Sequence, residues 1–375
     1  MSELERSPLS ASVAPIAPAP QASRVFHTLD ALRGVAATGV VALHFKTYFT
    51  PLQFPGGYLA VDLFFIMSGV VIAHSYDRRF RHGMSAWHFM RARLIRLYPL
   101  YALGTLLGLA ATSASLLGNN SDGWDVTALL IATACAVFFM PDLYGRPNDR
   151  LFPLNTPCWS LFFELLVNVA FGVLWKWLSP RRLGISCALC GIGVLAAIVV
   201  CGDIDQGYTA ASFFPGLLRT VFGFSLGVLI ARRVGTAPRV SSAPLFLAIC
   251  AVVVVAMVGA PGGTARVIWD AVCVLVVFPA VVIASTLVDP PSWLRGPAAF
   301  LGVTSYAIYV LHASVSQIAN SGLRHLFNGD PSQGAPYTGI GLLVALLFAC
   351  WLVDRYYDFP VRRALSRRFS EERVK

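Results

Sequence analysis

Charge is what this 375-residue chain has least of: Asp, Glu, Lys and Arg make up 13% of it, against 56% for the apolar set from Ala to Cys. That charged share is about half of what a water-soluble globular protein carries, which excludes a soluble enzyme with an exposed surface. The mean hydropathy of +0.66 excludes a disordered scaffold too, because apolar segments poor in charge bury readily. Disulfide and metal-site patterns are also lacking. The eight cysteines are diluted through apolar runs and read as small packing residues, and the metal-like spacing of Cys187 and Cys190 has no His or Cys partner nearby. No metal and no tightly bound cofactor is expected. Residues 1–24, rich in Ala, Pro and Ser, lack an apolar core long enough for a signal peptide and read as a flexible cytoplasmic tail. The net charge of +10 is accounted for by arginines at the cytoplasmic membrane surface, so no nucleic-acid partner is expected.

What is present is a series of apolar runs of roughly span length, at about 29–48, 57–75, 97–117, 126–142, 158–177, 184–202, 213–231, 243–260, 267–288, 298–319 and 338–357. Basic residues cluster at Arg78 to Arg96, at Lys176 to Arg182, at Arg232 to Arg239 and at Arg362 to Arg368, whereas the loops around Asn119 and Asp203 contain none. Placing every basic cluster inside requires an even number of crossings and one net crossing between Arg96 and Lys176. The pattern predicts an all-α polytopic membrane protein with about ten transmembrane helices. Residues 126–142 are then a re-entrant or interfacial segment, both termini are cytoplasmic, and residues 364–375 form a basic cytoplasmic tail.

Ionisable residues at membrane depth are costly and mark pathways or sites. The first span carries Asp30, Arg33 and His44. At about 100° per residue, Arg33 and His44 return to within roughly 20° of one face, with a rise of about 16 Å. One stripe thus carries a cation near the inner surface and an imidazole nearer the outer one. Asp62 in the second span and Glu164 in CWSLFFE are expected at the depth of His44. A carboxylate beside an imidazole fixes its tautomer and raises its basicity, as a general base requires, so His44, Asp62 and Glu164 form the candidate catalytic group. Three separate packing contacts are the plainer alternative. On the inner side Arg93 and Arg96, at i and i+3, share a helix face and suit bidentate phosphate binding. Membrane anchoring explains most such clusters, but Arg33 at the same depth points to a phosphorylated ligand. Ser305, Tyr309 and His312 form a stripe at i, i+4 and i+7 that either lines a pore or bonds to neighbouring helices. Gly223 and Gly227 make a GxxxG pair suited to close helix packing.

In this order, LDALRG with Arg33-x10-His44, VDLFFIMSG (61–69), RLIRLYP (93–99), CWSLFFE (158–164), TSYAIYVLH (304–312) and YDFPVRR (357–363) resemble the membrane-bound acyltransferase family 3. One departure is Asp358, where the family usually has Glu. The resemblance implies that residues 25–363 are an acyltransferase transmembrane domain in the bacterial cytoplasmic (inner) membrane. It implies O-acylation, usually acetylation, of an extracytoplasmic polysaccharide or glycolipid such as exopolysaccharide or O-antigen, with cytoplasmic acyl-CoA as donor. It also marks Arg33, His44 and the third-span arginines. In the mechanism expected, Arg33, Arg93 and Arg96 hold the donor phosphates and His44, oriented by Asp62 or Glu164, deprotonates the acceptor hydroxyl. Asp30, Ser68, Trp159, Tyr309 and His312 are the pore-lining or orienting candidates; Ser68 or His44 could be acylated transiently, and Trp159 could stack on a sugar. The expected partners are acyl-CoA, a glycan or glycolipid acceptor and membrane lipid. Two alternatives are an acyltransferase for a small secreted metabolite or lipid, and a sugar or lipid transporter without acyl transfer. Against the transporter stands the lack of a second copy of the Arg-x10-His span.

Overall fold

The computed structural model describes residues 25–118, 123–144, 149–234, 237–326 and 330–371. The expected tail over 1–24, the loop around Asn119 and the last residues of the basic tail lie outside these. The helices, in chain order, are α1 (His27–His44), α2 (Lys46–Phe49), α3 (Ala60–Arg81), α4 (Ala86–Leu117), α5 (Val126–Val137), α6 (Cys158–Leu174), α7 (Pro180–Cys201), α8 (Phe213–Val234), α9 (Ala243–Val258), α10 (Ala265–Val272), α11 (Phe278–Leu287), α12 (Ser292–Leu326), α13 (Tyr337–Val353) and α14 (Phe359–Glu371). π-Helical turns over Cys273–Val277 and Asp354–Asp358 join α10 to α11 and α13 to α14. A parallel pair of two-residue strands, Val240–Ser241 and Val288–Asp289, ties two connections together.

Sequence starts these helices where it should. Ser85, Asp125, Ser179 and Ser242 each accept a hydrogen bond from a backbone N–H of the first turn, and Pro180 and Pro244 occupy the opening turn, where a missing N–H costs nothing. Helices cover each of the ten expected span ranges. Among the described residues, eight helices are long and apolar enough to cross a membrane. The 18-residue α1 is diluted by Asp30, Arg33 and two terminal histidines, and α9 has 16 residues; both pack into the same bundle. With 12 residues, α5 is about 18 Å long, well short of a hydrocarbon core of about 30 Å. Its final carbonyls, at Ala136 and Val137, accept hydrogen bonds from the Tyr101 and Tyr98 hydroxyls of α4, each at 2.8 Å. Those tyrosines satisfy groups that a helix end leaves orphaned.

Two close parallel pairs set the frame. In one, α1 lies along α12, with Gly34 against Leu301 and Gly302 against Asp30. In the other, α3 lies along α8, and the GxxxG pair is the contact: a Cβ on Gly223 would come 2.8 Å from that of Phe65, and one on Gly227 would strike the Ile66 carbonyl. The register of that second pair is pinned by Asp62–Arg219 at one end and Asp77–Arg232 at the other. The eight cysteines are all unpaired.

Candidate active site

Between these pairs lies a cavity of about 170 Å³, lined by residues of α1, α3, α4, α6 and α12. Its polar end holds three guanidinium groups, from Arg33, Arg93 and Arg96, with Glu164 and Ser68 beside them. Arg93 donates to Glu164 Oε1 at 2.8 Å, and the Ser68 hydroxyl donates to the same oxygen at 2.8 Å. Arg33 has Asp30 at 3.8 Å, and Arg96 has Asp358 at 3.8 Å. Both separations exceed hydrogen-bonding distance, so these two cations are balanced by charge while their N–H donors remain available to a ligand. Helical spacing does the converging: Arg93 and Arg96 project from one face of α4, and Ser305 and Tyr309 from one face of α12.

The cavity ends at Tyr309 and Ser160. Their hydroxyls share a hydrogen bond of 2.7 Å, and the Tyr309 ring packs edge-on against Phe64 with centroids 5.4 Å apart. Immediately beyond lies His312, its ring centroid 6.0 Å from that of Tyr309, and then His44, 4.8 Å from His312. Thus α1 presents both Arg33 and His44 to α12, as their spacing predicts. His44 Nδ1 lies 2.9 Å from the Val40 carbonyl, and His312 Nδ1 lies 3.2 and 2.8 Å from the carbonyls of Ile308 and Tyr309. Carbonyls only accept, so each ring carries its hydrogen on Nδ1 and a lone pair on Nε2. Two loops stand beside this histidine end, where the His44 side chain is exposed. The Arg150 guanidinium stacks on Tyr208 at 4.6 Å, and Leu151 N donates to the Tyr208 carbonyl at 2.9 Å. On the loop between α7 and α8, burial pushes the Asp205 carboxyl above its ordinary value, against the pull of Arg219.

The expected layer of His44, Asp62 and Glu164 does not form. Asp62 is 2% exposed and held by Arg219, with Nε–Oδ1 at 2.9 Å and Nη2–Oδ2 at 2.5 Å. Glu164 belongs to the arginine cluster. The physical reason is that a carboxylate in a low-dielectric bundle gains far more from a guanidinium than from a neutral imidazole, and each found one. Trp159 is likewise no open sugar platform: it is 5% exposed and lies under the Arg219 guanidinium at 5.5 Å. Asp30 sits beside Arg33, outside the cavity wall.

Sequence reasoning missed Arg219, the largest fully buried side chain among the described residues. Its signal was present, a lone arginine seven residues into an apolar span. It also missed what Asp358 does: fully buried, it takes Arg362 at 2.8 Å and stands 3.8 Å from Arg96, so the acid of the closing motif faces the cavity arginine from behind. Tyr306 was passed over too. Its hydroxyl donates to the Leu97 carbonyl at 2.6 Å and its ring lies 5.7 Å from the Arg96 guanidinium, which fixes α12 against α4 at the cavity wall.

Residues 26–355 match a protein family described as an acyltransferase domain. Protein 2 in the picA locus of Rhizobium radiobacter is 37% identical over 157 residues, covering 39% of this chain and 80% of that protein. The exopolysaccharide production protein ExoZ of Rhizobium meliloti (strain 1021) is 26% identical over 331 residues, 86% of this chain and 93% of the relative. The acyltransferase MdmB of Streptomyces mycarofaciens is 25% identical over 389 residues, 91% of this chain and 92% of the relative. No solved structure matches the chain.

Proposed function

The chain belongs to the acyltransferase domain family, and from that premise we propose that this multi-pass membrane enzyme moves an acyl group, acetyl in the first instance, from cytoplasmic acyl-CoA to a hydroxyl of an extracytoplasmic polysaccharide or glycolipid. The observation that carries the reading is the cavity itself: three arginines converge at one end, and the other end stops one side chain short of a pair of imidazoles. The polysaccharide acceptor is carried over from the relative whose name places it in exopolysaccharide production.

The chemistry follows from charge and reach. The phosphates of CoA are too highly charged to enter a bilayer core, so they stay at the arginine end. Arg33 and Arg96 have donors to spare, and Arg93 can turn from Glu164 to an incoming phosphate. Only the uncharged arm and its thioester then occupy the cavity, between Val61, Phe64, Phe65 and Leu161. At the upper limit the Tyr309 hydroxyl, exchanging Ser160 for substrate, can hydrogen-bond the oxyanion that develops on the thioester carbonyl. His44 Nε2 takes the proton of the acceptor hydroxyl as its oxygen attacks. The new ester forms, the carbon–sulfur bond breaks, and the proton passes to the thiolate. A direct transfer needs no acyl-enzyme.

The test is mass spectrometry of surface glycans from a deletion strain carrying wild-type, His44→Ala or Arg93→Ala protein, paired with CoA binding to each purified protein. Both variants are expected to lose surface acylation, and only Arg93→Ala to lose CoA binding. Normal acylation with His44→Ala removes the base from this reading. Wild-type surface glycans unchanged by the deletion remove the acceptor class.

A further inference from the structure

An acyl-CoA carries phosphate in two places: a diphosphate joined to the pantetheine arm, and a 3′-phosphate on the adenosine at the far end. The three cavity arginines account for the first and leave the second without a site. At the same end of the bundle a groove of about 610 Å³ opens between the end of α3, the turn after it, α4 and α14, against about 170 Å³ for the cavity. Arg79, His82, His88 and Arg91 stand on its walls, and Met84, Ile95 and Phe369 supply apolar surface. Among the described residues no carboxylate lines it.

Anchoring at the inner membrane surface explains many basic residues, but two features set this groove apart. The first is the missing counter-charge. A neighbouring recess at the end of α3 also carries arginines, yet it contains Asp77, whose two oxygens take Arg232 and which accepts from the Trp175 indole at 2.7 Å. In the groove, Arg91 donates to the Phe369 carbonyl at 3.3 Å with its guanidinium 4.7 Å from the centre of that ring, and Arg79 lies 5.1 Å from the Tyr76 ring. Neither arginine has an anionic partner among the described residues. The second feature is where the groove leads. At about 100° per residue, His88, Arg91, Ala92 and Ile95 fall on one face of α4, and Arg96 lies about 40° beyond Ala92, on the side of Arg93. Arg96 keeps 38% of its side chain exposed and lines the cavity. On α14, Arg362, Ser366 and Phe369 share a face, which runs from the Arg362–Asp358 pair behind Arg96 to the groove wall. Arg96 is thus the corner common to both spaces. The rise from Arg91 to Arg96 is about 7.5 Å, a step that a ribose phosphorylated at both ends can bridge.

From this juxtaposition we propose that the groove between α4 and α14 binds the adenosine 3′-phosphate end of the donor, with Arg79 and Arg91 holding the 3′-phosphate and the apolar surface of Met84, Ile95 and Phe369 taking the purine. The assignment rests on the reading of acyl-CoA as donor. Guanidinium groups suit the task because their planar fork meets two phosphate oxygens at once. The diphosphate then turns at Arg96 into the arginine end of the cavity, and the arm continues toward Tyr309.

The test is isothermal titration of the full chain, in phosphatidylcholine nanodiscs, with CoA and with dephospho-CoA, which lacks only the 3′-phosphate. The wild-type protein is expected to bind CoA about tenfold more tightly, with the gap narrowing as salt is raised. Arg79→Gln and Arg91→Gln should each weaken CoA several-fold and leave dephospho-CoA unchanged, so the second ligand also reports that the variant is folded. Arg79→Glu should abolish the preference. Should Arg91→Gln lose both ligands by loosening α14, the two Arg79 variants decide. Equal affinity of the wild-type protein for the two ligands, or a preference that survives Arg79→Glu, overturns the groove assignment and leaves the donor standing. The same holds if the groove serves an anionic lipid headgroup, seen as no 3′-phosphate preference together with stabilisation by phosphatidylglycerol that Arg79→Glu removes. Wild-type protein that binds neither ligand overturns the donor and the groove together.

Discussion

Two ion pairs in this protein are made of the same groups, yet they have opposite fates. Asp62–Arg219 joins α3 to α8 with both partners at most 2% exposed, closed on every side and capped by the Gln206 carbonyl, which accepts from Arg219 Nη1 at 2.7 Å. Glu164–Arg93 joins α6 to α4 with 17% and 13% exposure and lines the cavity. A closed pair leaves no donor for a visitor, and its service is to hold two helices in register. An open pair can trade one partner for a ligand at little cost, because a phosphate replaces the carboxylate charge for charge. Burial, more than residue type, divides architecture from chemistry here.

The largest effect should come from breaking the closed pair. Arg219→Ala leaves a buried carboxylate unpaired and is expected to cost about 3–5 kcal/mol, seen as a large fall in Tm in detergent and poor recovery of folded protein. Replacing both partners, Asp62→Leu with Arg219→Met, should restore most of that stability; a double variant as unstable as Arg219→Ala would mean that the pair does more than hold register. Next in size, Arg93→Ala should weaken CoA binding by roughly ten- to a hundredfold, the loss of one or two charge-assisted hydrogen bonds, while Tm moves far less than in Arg219→Ala. Equal losses of stability in the two arginine variants would erase the distinction between open and closed pairs. Glu164→Gln keeps the shape of the cavity but frees Arg93 from its counter-charge, so isothermal titration should register CoA binding that is several-fold tighter. Weaker binding would make Glu164 a ligand contact in its own right. The smallest effect concerns Asp205. Burial raises its pKa above the ordinary carboxylate value, so the fold favours the protonated form, and the charged carboxylate becomes a cost as pH rises above that value. Asp205→Asn should therefore raise Tm slightly at neutral pH, with the gain vanishing at pH values below the unfolded pKa; a lower Tm at pH 7 contradicts this.

Much of the fold was legible because membrane spans are written locally. Each apolar run carries its own length, several carry their own cap or flanking arginines, and none of these needs a neighbour to be recognised. The short α5 was set apart by the charge count, which leaves one net crossing between Arg96 and Lys176, and its 12 residues are too few to reach across a bilayer. The convergence of Arg33, Arg93 and Arg96 was within reach as well, because helical spacing and a shared depth place them near one surface. The pairing of His44 was not. Depth along a helix can be counted from the sequence, but the direction in which a side chain faces depends on which helices become neighbours and how each is rotated.

The sequence by itself determined a bundle of apolar helices, the level at which each polar residue sits and the family the chain belongs to, because hydrophobic burial and helical rise act residue by residue along one strand of chain. Only the tertiary structure decided which carboxylate met which guanidinium, and that a second imidazole stood where a carboxylate was expected. Those choices were made by glycine-tight contacts between helices far apart in the chain, α1 on α12 and α3 on α8, where the absence of a side chain lets two backbones approach and so selects the partners of every polar group nearby.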